Sequence, residues 1–355
     1  MFRVMGLFRR PRDASASAPP AISEFWEWWA QARPTIEAAL AADDGDGDGL
    51  PTDVVDELTL RIRKIHPELQ WEIGGAEGRG PSLTVSGGGD PELRGIAERW
   101  HRAVPRSAGA DWRFYPARQP DPEMLAQQLV LGDHEFDLEY ARFGMRADQQ
   151  RARVDITAYH PDFLFVSEEQ RLQVALHLLD WALGEDDVAR WVGAVATAEE
   201  APIDALPPSL LASVVEQVAE PFGDTTWLTG EGRTPRGHPS RIGIRFPLHR
   251  QDHPLSDLHV AISVPYQHSN PDRLPVEPSA SALRKFEKRL VALGERAVLA
   301  AVQTGDGLRV FHLYADPASP VISDLDQLAA SWSEGKAKVA SVPDPSWSAL
   351  APYRP

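Results

Sequence analysis

AVLAAVQTGDGLRVFHLYA, residues 297–315, decides the fold. Two β-rich runs, Ala297–Gln303 and Leu308–Ala315, flank Thr304-Gly305-Asp306-Gly307. Asp-Gly in that gap supplies the positive φ angles of a tight turn, so the segment reads as an antiparallel hairpin. At a period of two, Val298, Ala300 and Val302 point one way and Leu299 and Ala301 the other, so the first strand is expected to be buried on both faces. A helical pattern precedes the hairpin (Ser279–Gly294) and another follows it (Ile322–Trp332), which points to an α+β sandwich.

Working outward, a helix over Ser209–Val218 and strands over Arg241–Phe246, Leu258–Pro265 and Lys336–Val342 complete the C-terminal part. Ala201–Pro208 holds three prolines in eight residues and is the expected domain boundary. Before it, Ser23 caps a helix with Phe25, Trp28, Trp29, Ala32 and Ile36 at helical spacing, and a second helix runs over Thr52–Ile65. Short strands at Leu69–Ile73, Ser82–Ser86 and Trp112–Ala117 surround a helix opened by Asp90-Pro91. A long hairpin pairs Glu135–Phe143 with Arg153–His160. The helix Ser167–Leu183 carries the stripe Leu172, Leu176, Leu179 and Leu183 and stops at Gly184, ahead of a strand at Val192–Thr197. The expected class is α+β, with two domains of mainly antiparallel sheet and helices packed on one face, in the manner of ferredoxin-like or split βαβ sandwiches. Residues 1–20 read as a disordered basic and Ala/Ser/Pro-rich tail, 21–204 as an N-terminal domain and 205–355 as a C-terminal one.

A formal charge of −16 disfavours nucleic acid, whose recognition relies on clustered Lys and Arg, and favours a basic protein partner. The chain has no cysteine, which removes disulfides, thiolate nucleophiles and Cys-ligated zinc and suits a reducing cytoplasm. No apolar run is long enough to span a bilayer, and the basic start of the chain has no apolar stretch of signal-peptide length. The expectation is a cytoplasmic protein without stable membrane association; its oligomeric state is not legible.

Four constellations invite chemistry. Asp44, Asp46, Asp48 and Gly49 match the opening of a calcium loop, but the closing twelfth position is Val55, so an acidic linker is the better reading. Gly87-Gly88-Gly89 lacks the Lys-Ser/Thr of a phosphate cradle and reads as helix entry. Asp133, Glu135, Asp137 and Glu139 share one face if their segment is a strand, with Asp155 and His160 on its partner. That face would hold a divalent cation, act as an acid and base pair, or stay solvated; the last is favoured and makes these four the candidate interaction face. His249, His253 and His259 with Asp252 form the densest histidine group, a weak candidate for a metal because Pro254 implies a loop and no helical i, i+4 pair exists. No metal and no other cofactor is expected.

The C-terminal part carries Leu293-Gly294-Glu295, Ala301 to Phe311, Tyr314, and Asp344-Pro345-Ser346-Trp347 through Tyr353. On these residues it resembles the uncharacterised bacterial domain-of-unknown-function family six-nine-five, a domain that in that family accompanies one similar to a ribonuclease E inhibitor. The resemblance implies regulatory work and supplies no catalytic residue. The N-terminal half, through Phe25-Trp26-Glu27-Trp28, Leu83 to Ser86, Tyr159-His160-Pro161 and Leu179 to Glu185, is similar to another uncharacterised bacterial protein family. The sequence thus favours a non-enzymatic regulatory or protein-interaction role. A metal-dependent hydrolase using the acidic face or the histidine loop, and a small-ligand binding protein, stand as alternatives.

Overall fold

The computed structural model describes residues 14–42, 50–74, 80–222 and 225–354. The chain forms two compact units that divide at Arg118/Gln119. The acidic stretch Asp44–Gly49, where the incomplete calcium loop was read, lies outside the described residues.

In the first unit, helices α1 (Ala14–Ala42), α2 (Thr52–Ile65) and α3 (Pro91–Arg102) pack with strands β1 (Gln70–Gly74), β2 (Ser82–Ser86) and β3 (Arg113–Tyr115). β2 is central, antiparallel to β1 and parallel to β3. The first helix begins at Ala14, inside the stretch read as a disordered tail and ahead of the expected Ser23 cap, and the alternating alanines of its first turns are strong helix formers. The α3 entry matches the sequence reading, since the Asp90 carboxylate accepts the Glu92 N–H at 2.8 Å and Pro91 occupies the first turn. The core is aromatic: Trp26 stacks on Trp100 at 5.1 Å and Trp29 meets Trp112 edge-on at 4.8 Å. The two buried indoles of α1 find acceptors, Trp26 donating to the Trp100 carbonyl and Trp29 to that of Ala108.

The second unit contains three sheets. Strands β4 (Gln128–Leu131) and β5 (His134–Asp137) form a hairpin; β6 (Arg142–Asp148) and β7 (Arg153–Tyr159) pair antiparallel, and β8 (Val192–Ala198) lies parallel to β7. The long strand expected over Glu135–Phe143 is therefore two strands. Asp137 turns its carboxylate back onto the Glu139 N–H, and the chain bends through a 3₁₀ turn at Leu138–Tyr140 before β6 starts. Helix α4 (Glu168–Leu183) opens with a Ser167/Gln170 capping box and ends at Gly184, with φ of 78°. Its buried face is Val174, Ala175, Leu178, Leu179, Ala182 and Leu183; of the expected stripe Leu179 and Leu183 are buried, while Leu172 and Leu176 are 41% and 46% exposed. Helices α5 (Glu185–Trp191) and α6 (Leu211–Ala219) follow. Leu211, Val215 and Val218 of α6 join the same core as Phe143, Ile156 and Leu179. Leu206 exchanges two backbone hydrogen bonds with Phe143, at 2.8 and 2.9 Å. The stretch Ala201–Pro208, expected as a boundary, thus lies inside this unit and ties α6 to the strands before it.

The remaining elements build a six-stranded antiparallel sheet from β9 (Thr226–Arg233), β10 (Pro239–Phe246), β11 (Leu258–Pro265), β12 (Ala297–Gly305), β13 (Leu308–Ala315) and β14 (Lys338–Pro343), in the order β14-β11-β13-β12-β10-β9. Asp306 and Gly307 adopt φ of 54° and 80°, as the Asp-Gly turn requires. An irregularity between Leu299 and Ala301 shifts the alternation of β12. Leu299 and Val302 therefore share the face covered by helices α7 (Ser279–Val291) and α8 (Val321–Ala330), while Val298, Ala300 and Ala301 meet Trp347 and Leu350 on the other. β12 is buried on both faces, but Val302 sits opposite to the side that simple alternation gives. The protein is α+β with mainly antiparallel sheet, and among the described residues no helix is long and apolar enough to cross a membrane.

Candidate functional site

The second unit carries a cavity of about 330 Å³ lined by four arginines, Arg151, Arg153, Arg245 and Arg354, together with His249. Three separate parts of the chain supply them: the start of β7, the end of β10 with the loop that follows, and the C-terminal segment. Gly193, Phe246, Pro247 and Leu350 complete the walls, and no carboxylate is among the lining residues. Arg151 is held from outside by Asp148 at 2.6 Å and Asp155 at 3.1 Å. One nitrogen of Arg153 donates to the carbonyls of Ala189 and Val192, which anchors it between α5 and β8. Among the described residues, the guanidinium groups of Arg245 and Arg354 make no ion pair or hydrogen bond. His249 packs its ring 4.8 Å from that of Trp191, and its buried Nε2 has no hydrogen-bond partner in the described structure.

The surroundings act on these groups unequally: Asp148 and Asp155 stabilise the charge of Arg151, whereas burial and neighbouring cations oppose charge at His249 and Arg153. Burial drives the His249 pKa down to about 4, and Arg153, Arg190 and Arg354 add to the effect against the opposing pull of Asp252. Arg153 is pushed below its ordinary value first by burial, then by Arg354 and Arg151. Arg354 is likewise lowered by burial, although Tyr314 and Asp344 favour its charge. The site holds several cations together with an imidazole kept neutral and unsatisfied. An anion entering it would relieve repulsion and supply acceptors at once.

One side of the cavity is fixed by the residues that carry the resemblance noted above. Asp344 accepts the Tyr314 hydroxyl at 2.6 Å, the N–H groups of Ser348 and Ala349 at 2.8 and 2.9 Å, and the Ser348 hydroxyl at 2.7 Å. Burial alone would raise its pKa; these hydrogen bonds overcome that and hold it at about 2. Trp347, fully buried with φ of 56°, stacks on Tyr314 at 4.2 Å and donates to the Ser256 carbonyl. Tyr353 donates to Gln303 Oε1 at 3.1 Å, so its oxygen accepts from His312 Nε2 at 3.1 Å, leaving His312 Nδ1 to accept from His259 Nε2 at 3.0 Å. This relay needs the His312 imidazole neutral, because its Nδ1 must accept. Burial and the neighbouring His259 depress the His312 pKa to about 4. These contacts latch the C-terminal segment onto β12 and β13 and so place Leu350 and Arg354 at the cavity.

The residues singled out from sequence are dispersed. Glu135 and Asp137 line a separate open concavity of about 460 Å³ with Tyr140, His160 and Asp162, whereas Asp133 sits in the β4–β5 turn and Glu139 in the 3₁₀ turn. The four carboxylates therefore do not form one strand face. His160 is buried; its Nε2 donates to the Asp137 carbonyl at 2.8 Å and its Nδ1 accepts the Asp162 N–H, which makes it a cap for the turn that follows β7. The histidine group separates likewise. His249 lines the arginine cavity, Asp252 pairs with Arg190, His253 meets Glu295 at 2.9 Å, and His259 belongs to the Tyr353 relay. Among the described residues no group of three or more His, Asp or Glu is placed to hold a metal ion. Sequence reading missed the arginines. Arg151 lies in the β6–β7 turn and Arg153 opens β7, and nothing local connects them with Arg245 or Arg354.

Residues 236–352 match the model of a family of unknown function, DUF695. That span holds β10 to β14 and most of the C-terminal latch. No curated protein and no solved structure matches the chain.

Proposed function

We propose that this chain is a non-enzymatic regulatory protein that binds a small anionic ligand in the arginine cavity. The observation that carries the reading is the lining itself: Arg151, Arg153, Arg245, Arg354 and His249 face one volume with no carboxylate among them, in a chain of net charge −16. Arg151 is already paired with Asp148 and Asp155, while Arg153, Arg245 and Arg354 repel one another with no carboxylate in the lining, a repulsion that an anionic ligand relieves. The lining offers donors but no hydroxyl nucleophile and no carboxylate base, the composition of a receptor rather than a catalyst. Because the cavity joins β7, the β10 exit and the C-terminal segment, an occupant would stiffen these parts together, and that stiffening is the regulatory signal.

The experiment is a thermal melt of the full chain with inorganic phosphate, acetate and a neutral osmolyte, repeated on Arg354→Gln. The reading expects a saturable rise in melting temperature with phosphate that is lost in the variant. An equal rise in both proteins would overturn it. A second reading rests on the acidic concavity. Glu135, Asp137 and Asp162 around Tyr140 suit a basic segment of a partner protein, and a synthetic oligoarginine peptide tests that contact directly.

A further inference from the structure

A larger cavity, about 550 Å³, lies on the six-stranded sheet over β9, β10 and β12, with α7 contributing Glu287. Strand register builds its polar side. Glu231 stands opposite Arg241, Arg241 opposite Thr304, and Thr304 opposite Arg309, so four polar side chains form one cross-strand row. The adjacent row on the same face is Thr229, Gly243 and Val302. The missing side chain at Gly243 leaves room for the Trp227 ring to lie down against the sheet. A Cβ at Gly243 would lie 3.3 Å from that ring. Trp227 is nevertheless 42% exposed, an aromatic platform left open on an edge strand.

The charges along this row are used unequally. Arg309 is committed, its Nε donating to Thr304 at 2.9 Å and its Nη1 to Glu287 at 3.2 Å. Glu231 and Arg241 face each other across neighbouring strands, yet among the described residues neither makes an ion pair or a side-chain hydrogen bond. The four lining charges, Glu231 and Glu287 against Arg241 and Arg309, cancel. A net anion or a net cation gains little from such a wall, whereas a ligand with adjacent opposite charges satisfies both open groups.

We propose that this cavity binds a zwitterionic aromatic α-amino acid, with its carboxylate on Arg241, its ammonium on Glu231 and its ring on Trp227 above Gly243. The α-carbon of such a ligand carries the two charges side by side, as Arg241 and Glu231 are placed side by side. Its planar side chain matches the flat surface made by the indole, lying on Gly243, and the neighbouring Val302. This site shares no lining residue with the arginine cavity, so it stands independently of the function proposed above.

The test is calorimetric titration of the full chain with L-phenylalanine and L-tryptophan, against 3-phenylpropionate, phenethylamine and L-alanine, which lack the ammonium, the carboxylate and the ring in turn. Saturable binding of an aromatic amino acid is expected, at least about tenfold weaker for each incomplete analogue and for Arg241→Gln, whose exposed side chain leaves the fold intact. Trp227→Leu, on the exposed edge, should weaken it by about tenfold as well. Gly243→Val should abolish it, and Arg354→Gln, in the other cavity, should leave it unchanged. Absence of saturable binding at millimolar ligand, equal affinity for the analogues, or undiminished affinity in Arg241→Gln and Trp227→Leu would overturn the assignment.

Discussion

His312→Gln should flatten the dependence of stability on pH in the acid range. In the folded protein His312 accepts from His259 and donates to Tyr353, and burial with the neighbouring imidazole holds its pKa at about 4, against 6.5 when unperturbed. The folded state therefore prefers the neutral ring, while the unfolded chain takes up a proton once the pH falls below 6.5. The stabilisation is complete above pH 6.5, declines as the pH approaches 4 and is gone below that. A difference of about 2.5 in pKa corresponds to about 3 kcal/mol over that window. His249, also held at about 4, adds a second loss of similar size that remains in the variant. Urea unfolding at a series of pH values from 7.5 to 4 measures both. The wild-type midpoint should drop steeply and that of the variant less, because Gln keeps a donor and an acceptor but takes up no proton, while His249, His253 and His259, all lowered by burial, still titrate. Parallel curves for the two proteins would refute the assignment of His312 as a buried neutral relay.

Truncation of the aromatic core by Trp29→Ala should destabilise the first unit by about 3–5 kcal/mol, read by denaturant unfolding of a fragment ending at Arg118; a loss below about 1 kcal/mol would contradict its packing against Trp112. Cleavage at an engineered site between Arg118 and Gln119 should yield two soluble, cooperatively melting pieces. Cleavage within Ala201–Pro208 should instead release fragments that aggregate, because it parts α6 from the core it shares with Phe143; two soluble pieces from the second cut would contradict this. Charge reversal by Glu135→Lys should leave stability within about 0.5 kcal/mol, since the side chain is solvated, but should weaken binding of an oligoarginine peptide at low salt. Unfolding of that variant would show that the carboxylate is structural.

Local chemistry made much of the fold legible. The Asp306-Gly307 turn, the Asp90-Pro91 helix entry, the Ser167 cap and the Gly184 stop are each written in a few adjacent residues, and each stands where the sequence placed it. What escaped depends on context. β9 (Thr226–Arg233) has two glycines and no apolar alternation, because as an exposed edge strand it buries almost nothing. The irregularity beside Ala300 reverses Val302, and no residue in that run announces it. In α4 the leucine stripe holds only in its second half: Leu179 and Leu183 are buried, but in the first half the smaller Val174 and Ala175 take the buried side while Leu172 and Leu176 stay open. The acidic quartet depended on a continuous strand, and the Asp137 turn breaks it. The arginine cavity was illegible for a different reason: its members come from positions 151, 153, 245 and 354, and only tertiary packing brings them around one concavity.

The account stands on that cavity being a receptor for an anion. Its most direct measurement is a calorimetric titration of inorganic phosphate into the full chain at low ionic strength, set beside the Arg245→Gln, Arg354→Gln double variant. Both side chains lack a partner among the described residues, so their replacement should leave the melting temperature unchanged or raise it by relieving repulsion. The account predicts one saturable site in the wild type, weakened by added salt, and at least about a hundredfold loss of affinity in the double variant as two charged contacts disappear. Equal titrations of the two proteins, or no saturable heat in the wild type, would contradict it.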